Sequence, residues 1–196
     1  MSKSFVILVI TFMSFTNSAP DPVERIGVKG PLTFSKTSFN LAWTSKPSPA
    51  YYVQEYLPKG ETPERFNQMM SIFLLVGDTE PKEALQQKVN ELDARKKTDP
   101  TCNYMVTQSP DKKEYMLDFL LGESRNGNAE IQEFNIYRYK QVELASKKKA
   151  LLLYAFSKRA YGNDITPFLK NLKAERTKLL HEMAIAKMPE VNVNDK

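Results

Sequence analysis

Seven short segments of this chain carry the residue pattern of β-strands, while only two longer segments carry the pattern of helices. In the strand segments apolar residues alternate with polar ones or run without a break, and in the helical segments they recur every three or four positions. The runs 70–76 and 150–156 are apolar almost throughout, which is typical of strands buried on both faces. The expected strands are 38–44, 51–57, 70–76, 104–108, 115–121, 131–144 and 150–156.

The order of these segments limits the fold class. Three strands come first, a helix follows, and then come four strands and a last helix. Strands grouped in runs with few helices predict an α+β fold, built on a mostly antiparallel sheet of about six to seven strands with two main helices. Because the central strands are apolar on both faces, we expect one helix on each side of the sheet.

The two helices are predicted where apolar residues recur at helical spacing, within residues 85–92 and 168–183. Proline suits the first turn of a helix, since its missing N–H has no partner there anyway. A residue able to cap free amides stands ahead of a proline before each of these stripes. The same arrangement at Thr62 predicts a short helical turn through Phe66 and Met69.

The first residues have the pattern of a secretory signal peptide. Lys3 supplies the positive charge, residues 5–13 are apolar apart from Thr11, and small or polar residues follow. An uncleaved membrane anchor is the alternative, but the apolar run is shorter than the roughly 20 residues that a spanning helix needs. We therefore expect an exported protein, periplasmic or secreted, with no membrane span after cleavage. The expected organisation is a signal peptide at 1–18, a loose N-terminal segment at 19–35, one α+β domain at 36–189 and a frayed tail at 190–196.

The composition fits one domain without disulfides. The chain has 196 residues and a single cysteine, Cys102, so no disulfide forms within it. The net charge of +5 is mild, and the basic residues are interleaved with acidic ones. An exported chain of this charge, with no nucleic-acid-binding motif, is not expected to bind nucleic acid.

The residues able to do chemistry form no catalytic or cofactor motif. The single histidine, His181, has no nucleophile or orienting acid near it in sequence. A catalytic dyad of His181 with Cys102 is possible in space, but the only argument for it is that the chain has one histidine and one cysteine. There is no histidine cluster for a metal, and the seven glycines are not spaced as a phosphate-binding loop. We expect a non-enzymatic protein with no cofactor and no metal. A hydrolase that uses Asp118 or Glu61 is the less favoured alternative.

Aromatic residues are the most suggestive feature for binding. Tyrosine and tryptophan often carry the contacts of protein interfaces and stack well on sugars, although strands also use them to fill a core. The aromatic residues on or beside the expected strands are Trp43, Tyr51, Tyr52, Tyr56, Phe66, Tyr104, Tyr115, Tyr137, Tyr139 and Tyr154.

The stretch 55–66, Glu-Tyr-Leu-Pro-Lys-Gly-Glu-Thr-Pro-Glu-Arg-Phe, is followed by Met69 and Met70. It resembles short envelope proteins with the Mog1/PsbP-like fold, which have a strand, a Pro-x-Gly-Glu turn, a helical turn with an aromatic residue, and a long apolar strand. The resemblance covers residues 38–77 at the level of motifs, and Phe66 stands where tryptophan is expected. It implies a sandwich of sheet and helices and an accessory role without shared catalytic residues.

These observations predict a non-enzymatic domain that binds another envelope protein. The expected contact surface is the turn after the second strand, with Tyr56, Lys59, Glu61, Arg65 and Phe66 as candidate residues. The alternative is a module that binds a small ligand or a glycan in a pocket between the sheet and one helix.

Overall fold

The computed structural model describes residues 22–193, so the predicted signal peptide at 1–18 lies outside the described residues. Eight strands and two α-helices follow one another along the chain. They are β1 Leu32–Phe34, β2 Thr37–Ser48, β3 Tyr51–Leu57, β4 Gln68–Val76, α1 Pro81–Arg95, β5 Asn103–Gln108, β6 Glu114–Arg125, β7 Asn128–Glu143, β8 Lys149–Tyr161 and α2 Ile165–Ile185. A short 3₁₀ helix, Gly162–Asp164, joins β8 to α2.

The strands form one antiparallel sheet in the order β1-β2-β3-β4-β8-β7-β6-β5. The last strand, β8, lies between β4 and β7 and so joins the two halves of the chain in one sheet. The predicted α+β class with two helices is confirmed. The described residues hold eight strands instead of six to seven, because the three-residue strand β1 pairs with β2 inside the segment that was predicted to be loose.

The N-terminal segment is anchored to the sheet from Ile26 onward, which corrects the prediction of a loose segment at 19–35 for its described part. Ile26 is fully buried, and the backbone N–H of Arg25 donates to the side-chain oxygen of Gln54 on β3 at 2.7 Å. The tail packs against the same place, because the N–H of Asn192 donates to the carbonyl of Ile26 at 2.8 Å. The prediction of a frayed tail at 190–196 is therefore wrong for residue 192, and residues 194–196 lie outside the described residues.

The predicted helical turn after Thr62 is wrong. Thr62 and Arg65 exchange two backbone hydrogen bonds, of 3.2 and 3.1 Å, which close a tight turn in place of a helical one. The carboxylate of Glu61 accepts the N–H groups of Asn67 and Gln68 at 2.8 and 3.1 Å. These bonds draw the chain back toward β4 as soon as the turn ends, so there is no room for a helix to propagate.

The alternation of side chains along each strand gives the sheet two apolar faces, as in any pleated strand. One face, here the α2 face, carries Met70, Ile72 and Leu74 of β4 and is covered by α2 and the N-terminal segment. The other, the α1 face, carries Leu117 and Phe119 of β6 and is covered by α1. The expectation of one helix on each side of the sheet is confirmed.

Each helix is held by its apolar stripe. Phe168, Leu172, Leu179 and Met183 of α2 are all buried against the sheet, and burial of such side chains stabilises a fold by about 1.5–3 kcal/mol each. Neither helix has a side-chain hydrogen bond at its N-cap, so the predicted caps are not formed. Neither of the α-helices in residues 22–193 combines the length and the hydropathy that a membrane-spanning helix requires.

Candidate functional site on the open half of the sheet

One half of the α1 face has partly exposed side chains of large size. Helix α1 packs against β6 and β7, at one end of the sheet. On the same face, β2, β3 and β4 present residues that remain in contact with solvent. We call this surface the open half-face and define it by Trp43, Tyr51, Glu55, Ser71 and Phe73.

The register of the strands places these five residues on one face. Glu55 of β3 lies directly opposite Trp43 of β2 and directly opposite Ser71 of β4. A bulge in β2 shifts the register between Leu41 and Trp43, and it brings Trp43 onto the face of Glu55. Trp43, Tyr51, Glu55 and Phe73 are partly exposed, and Ser71 lies deeper, 3% exposed.

A chain of polar side chains continues from the open half-face onto β7 and β8. The hydroxyl of Ser157 donates to the side-chain oxygen of Asn135 at 2.6 Å. The amide of Asn135 donates to Glu133 at 3.0 Å, and the guanidinium of Arg159 donates to the other oxygen of Glu133 at 2.6 Å. Ser157 and Asn135 are buried, so these bonds satisfy polar groups that would otherwise destabilise the sheet.

Glu55 differs from these neighbours because its carboxyl makes no hydrogen bond or ion pair with any other residue in the range 22–193. Burial raises the pKa of Glu55 to about 7. The positive charge of Arg159 opposes that rise, and the negative charges of Glu133 and Glu64 add to it. Near neutral pH the site therefore holds a carboxyl that is close to half ionised, without a partner of its own.

The loop from 58 to 67 forms one border of this face. The guanidinium of Arg65 lies 4.6 Å from the ring centre of Tyr161, and that of Arg159 lies 4.1 Å from the ring centre of Phe66. The hydroxyl of Tyr161 accepts the N–H of Phe66 at 3.2 Å and donates to its carbonyl at 2.9 Å. The loop is thus fixed to the end of β8.

The structure divides the residues predicted for the contact surface. Lys59 and Arg65 are exposed, and Glu61 is partly exposed while its carboxylate holds the turn. Phe66 is only 2% exposed, and Tyr56 is fully buried on the α2 face, where its hydroxyl donates to the carbonyl of Val28 at 2.6 Å. Tyr56 and Phe66 therefore anchor the fold, and they are removed from the candidate surface.

The alternation of side chains along β3 separates its buried residues on the α2 face from its partly exposed residues on the α1 face. Tyr52 and Tyr56 share one face with Gln54, while Tyr51 and Glu55 share the other. The sequence shows this alternation, but only the pairing of β3 with β2 and β4 brings Trp43 and Ser71 beside Glu55.

The carboxylates proposed for a hydrolase have structural partners. Asp118 is buried on the α2 face, where Arg176 of α2 donates to it at 2.8 Å. Burial raises the pKa of Asp118, although Arg176 opposes this rise. Glu61 is bonded to the backbone of β4, as described above.

Cys102 and His181 are separated by the sheet. Cys102 is buried in the core beneath α1, and burial raises the pKa of its thiol. His181 is exposed on α2, on the opposite side. The dyad considered from the sequence is thus not formed. Residues 22–193 contain no group of three or more histidine, cysteine or acidic side chains placed to hold a metal ion.

A depression lies between the sheet and α2, where a ligand pocket was considered. Its volume is about 220 Å³, and Lys158, Glu175 and Lys178 are among its lining residues. Lys158 and Glu175 form an ion pair of 2.5 Å there. Ligand pockets for small molecules usually measure about 300–1,000 Å³, so this depression is small for that purpose.

Comparison with known proteins gives one match. A protein-family model matches residues 26–188, from the buried Ile26 to a point just beyond the end of α2. The match covers the whole sheet and both helices. No curated protein and no solved structure matches the chain.

Proposed function

Since this chain belongs to the family of uncharacterised proteins whose model matches residues 26–188, we propose its function from its own residues: it is an exported, non-enzymatic accessory domain that binds another protein of the cell envelope. The observation that carries the proposal is the open half-face. There, large aromatic side chains remain partly exposed around a carboxyl that has no partner among the described residues.

The aromatic residues of the open half-face suit a protein partner. Trp43, Tyr51 and Phe73 stand on three adjacent strands, and strands fix their side chains more firmly than loops do. Rigid aromatic side chains often supply most of the binding energy of an interface, because they bury much surface at a small cost in conformational entropy. The exposed Arg65 and Lys59 at the border would then contact the rim of the partner.

Export is proposed from the first residues alone. Lys3 and the apolar run 5–13 have the composition of a signal peptide that is removed on secretion. The free, buried Cys102 is compatible with this location, because the fold is held by two apolar cores and needs no disulfide.

We also propose that the domain is a distant member of the Mog1/PsbP-like fold group. The succession of β3, a Pro-x-Gly-Glu turn and the apolar strand β4 supports this proposal. The turn at Thr62 and Arg65 departs from it, because it lacks the expected helical residues. This resemblance implies an accessory role without catalytic residues.

Binding of a small anionic ligand is the second candidate. Two lysines, Lys158 and Lys178, line the depression beside α2. Glu175 already neutralises Lys158, and the volume of about 220 Å³ leaves room for only a small group. For these two reasons we favour a protein partner on the open half-face.

The test is a pull-down of the tagged protein after crosslinking in its own cell envelope. We expect a stoichiometric partner with the wild-type protein, and at least a tenfold lower yield when Trp43→Ala and Tyr51→Ala are combined. The control combines Tyr104→Ala and Tyr115→Ala, two aromatic residues of the same face at the other end of the sheet. It should retain the partner. Equal recovery from both double variants, with circular dichroism showing that both are folded, would refute the proposal.

A further inference from the structure

Glu55 and Ser71 are two polar groups without partners that lie side by side. They are directly opposite each other in the antiparallel pair of β3 and β4, where Cβ atoms are about 4.5–5.5 Å apart. Ser71 is 3% exposed, and its hydroxyl makes no hydrogen bond to any residue of the described range 22–193. The hydroxyl of Ser71 is therefore free to accept a hydrogen bond from a group that also pairs with the neighbouring carboxyl of Glu55.

The charges around this pair favour a cationic group. Arg159 is the cation whose charge acts on the carboxyl of Glu55. Its guanidinium, however, is bonded to Glu133 and lies over the ring of Phe66. Glu133 is thereby neutralised, while Glu55 keeps its own charge when ionised. The further charge of Glu64 also makes the site more negative.

The walls of the site favour the same class of group. Trp43 lies directly opposite Glu55 on β2, and Phe73 follows Ser71 on the same face of β4. Aromatic rings attract ammonium and guanidinium groups through the negative charge of their faces. A surface that offers rings, a carboxylate and a hydroxyl together is suited to the end of a lysine or arginine side chain, whose stem packs on the rings while its head is bonded.

We propose that Glu55 and Ser71 bind a lysine or arginine side chain of the partner protein, between Trp43 and Phe73. This inference rests on the proposed function of the open half-face and names the chemistry of its occupant. Glu55 supplies the charge, and the hydroxyl of Ser71 accepts a hydrogen bond from the cationic head. Arg159 and Glu133 hold the neighbouring strands and do not contact the occupant.

Binding should depend on pH, because only ionised Glu55 attracts a cation. With a pKa of about 7, the ionised fraction of Glu55 rises about tenfold between pH 6 and pH 8. The affinity for a cation should rise by up to the same factor. The charged groups that act on Glu55 are Arg159, Glu133 and Glu64, and Arg159 keeps its positive charge over this range.

The test uses N-acetyl-arginine methylamide as the probe and its neutral analogue N-acetyl-citrulline methylamide as the matched control. Binding to the ¹⁵N-labelled protein, produced from the full chain, is followed by NMR shifts of backbone amides at pH 6 and pH 8. We expect the arginine probe to shift amides of β2, β3 and β4, with the higher affinity at pH 8. Equal shifts with the citrulline probe, or shifts confined to other strands, would overturn the proposal.

Variants separate this inference from the proposed function. Glu55→Gln, which conserves shape, should weaken binding of the arginine probe at pH 8 at least fivefold and abolish its pH dependence, while Glu123→Gln should leave both unchanged.

Glu55→Gln should also lower recovery of the crosslinked partner. If Glu55→Gln retains the partner while the Trp43 and Tyr51 variant loses it, the cation site is refuted and the proposed function stands. If both retain the partner, the proposed function fails as well.

Discussion

At the scale of single residues, Glu55 is a partly buried carboxyl whose ionisation destabilises the folded state. Burial raises its pKa from the ordinary 4.5 to about 7, so the folded state holds the proton more tightly than the unfolded state does. The contribution of Glu55 to stability therefore falls as pH rises between these two values, and it stays at the lower level above them. Glu133, another carboxylate of this face, has a bonded partner in Arg159.

Replacing Glu55 by glutamine should accordingly stabilise the protein in a pH-dependent manner. We expect Glu55→Gln to raise the free energy of unfolding by roughly 2 kcal/mol at pH 8, because it removes an unpaired charge from a site with little water. At pH 4.5 the gain should shrink to a few tenths of a kcal/mol. Urea unfolding at both pH values measures this, with the exposed Glu123→Gln as control. A gain that is equal at both values would contradict the assignment.

At the scale of elements, the sequence predicted the strands well and the connections poorly. β3 has the bounds that alternation predicted, 51–57. β6 and β8 run beyond their apolar cores to Arg125 and Tyr161, because ladder bonds with β7 continue through polar residues that periodicity does not detect. The sequence at Thr62 has the pattern of a helix start. A tight turn forms there instead, because the hydrogen bonds of Glu61 hold the chain at the start of β4.

The N-terminal segment is the element whose role the sequence understated. We expect Ile26→Ala to destabilise the protein by about 2–5 kcal/mol, since Ile26 is fully buried between the sheet and the tail. Val23→Ala is the matched control, because Val23 is 59% exposed and its loss should cost less than about 0.5 kcal/mol. Thermal and urea unfolding measure both. If the two substitutions had the same small effect, the segment would be loose after all.

At the scale of the whole molecule, the central position of β8 decides where the open half-face lies. Because β8 pairs with both β4 and β7, α1 covers one end of the α1 face, and the strands from β2 to β4 extend beyond it. No local pattern predicts this order of strands, since β4 and β8 are far apart in sequence. For this reason the sequence identifies the aromatic residues, but it does not predict that Trp43, Tyr51 and Phe73 share one surface.

The most direct test of this account is photo-crosslinking from within the open half-face in the intact envelope. A photoreactive phenylalanine analogue replaces Tyr51 in one variant and the exposed Lys112, in the turn between β5 and β6, in another. The account predicts one crosslinked partner from position 51, with a lysine or arginine of that partner near the attachment point by mass spectrometry, and no such product from position 112. The same product from both positions, or none from position 51, would contradict the claim that this face binds a protein.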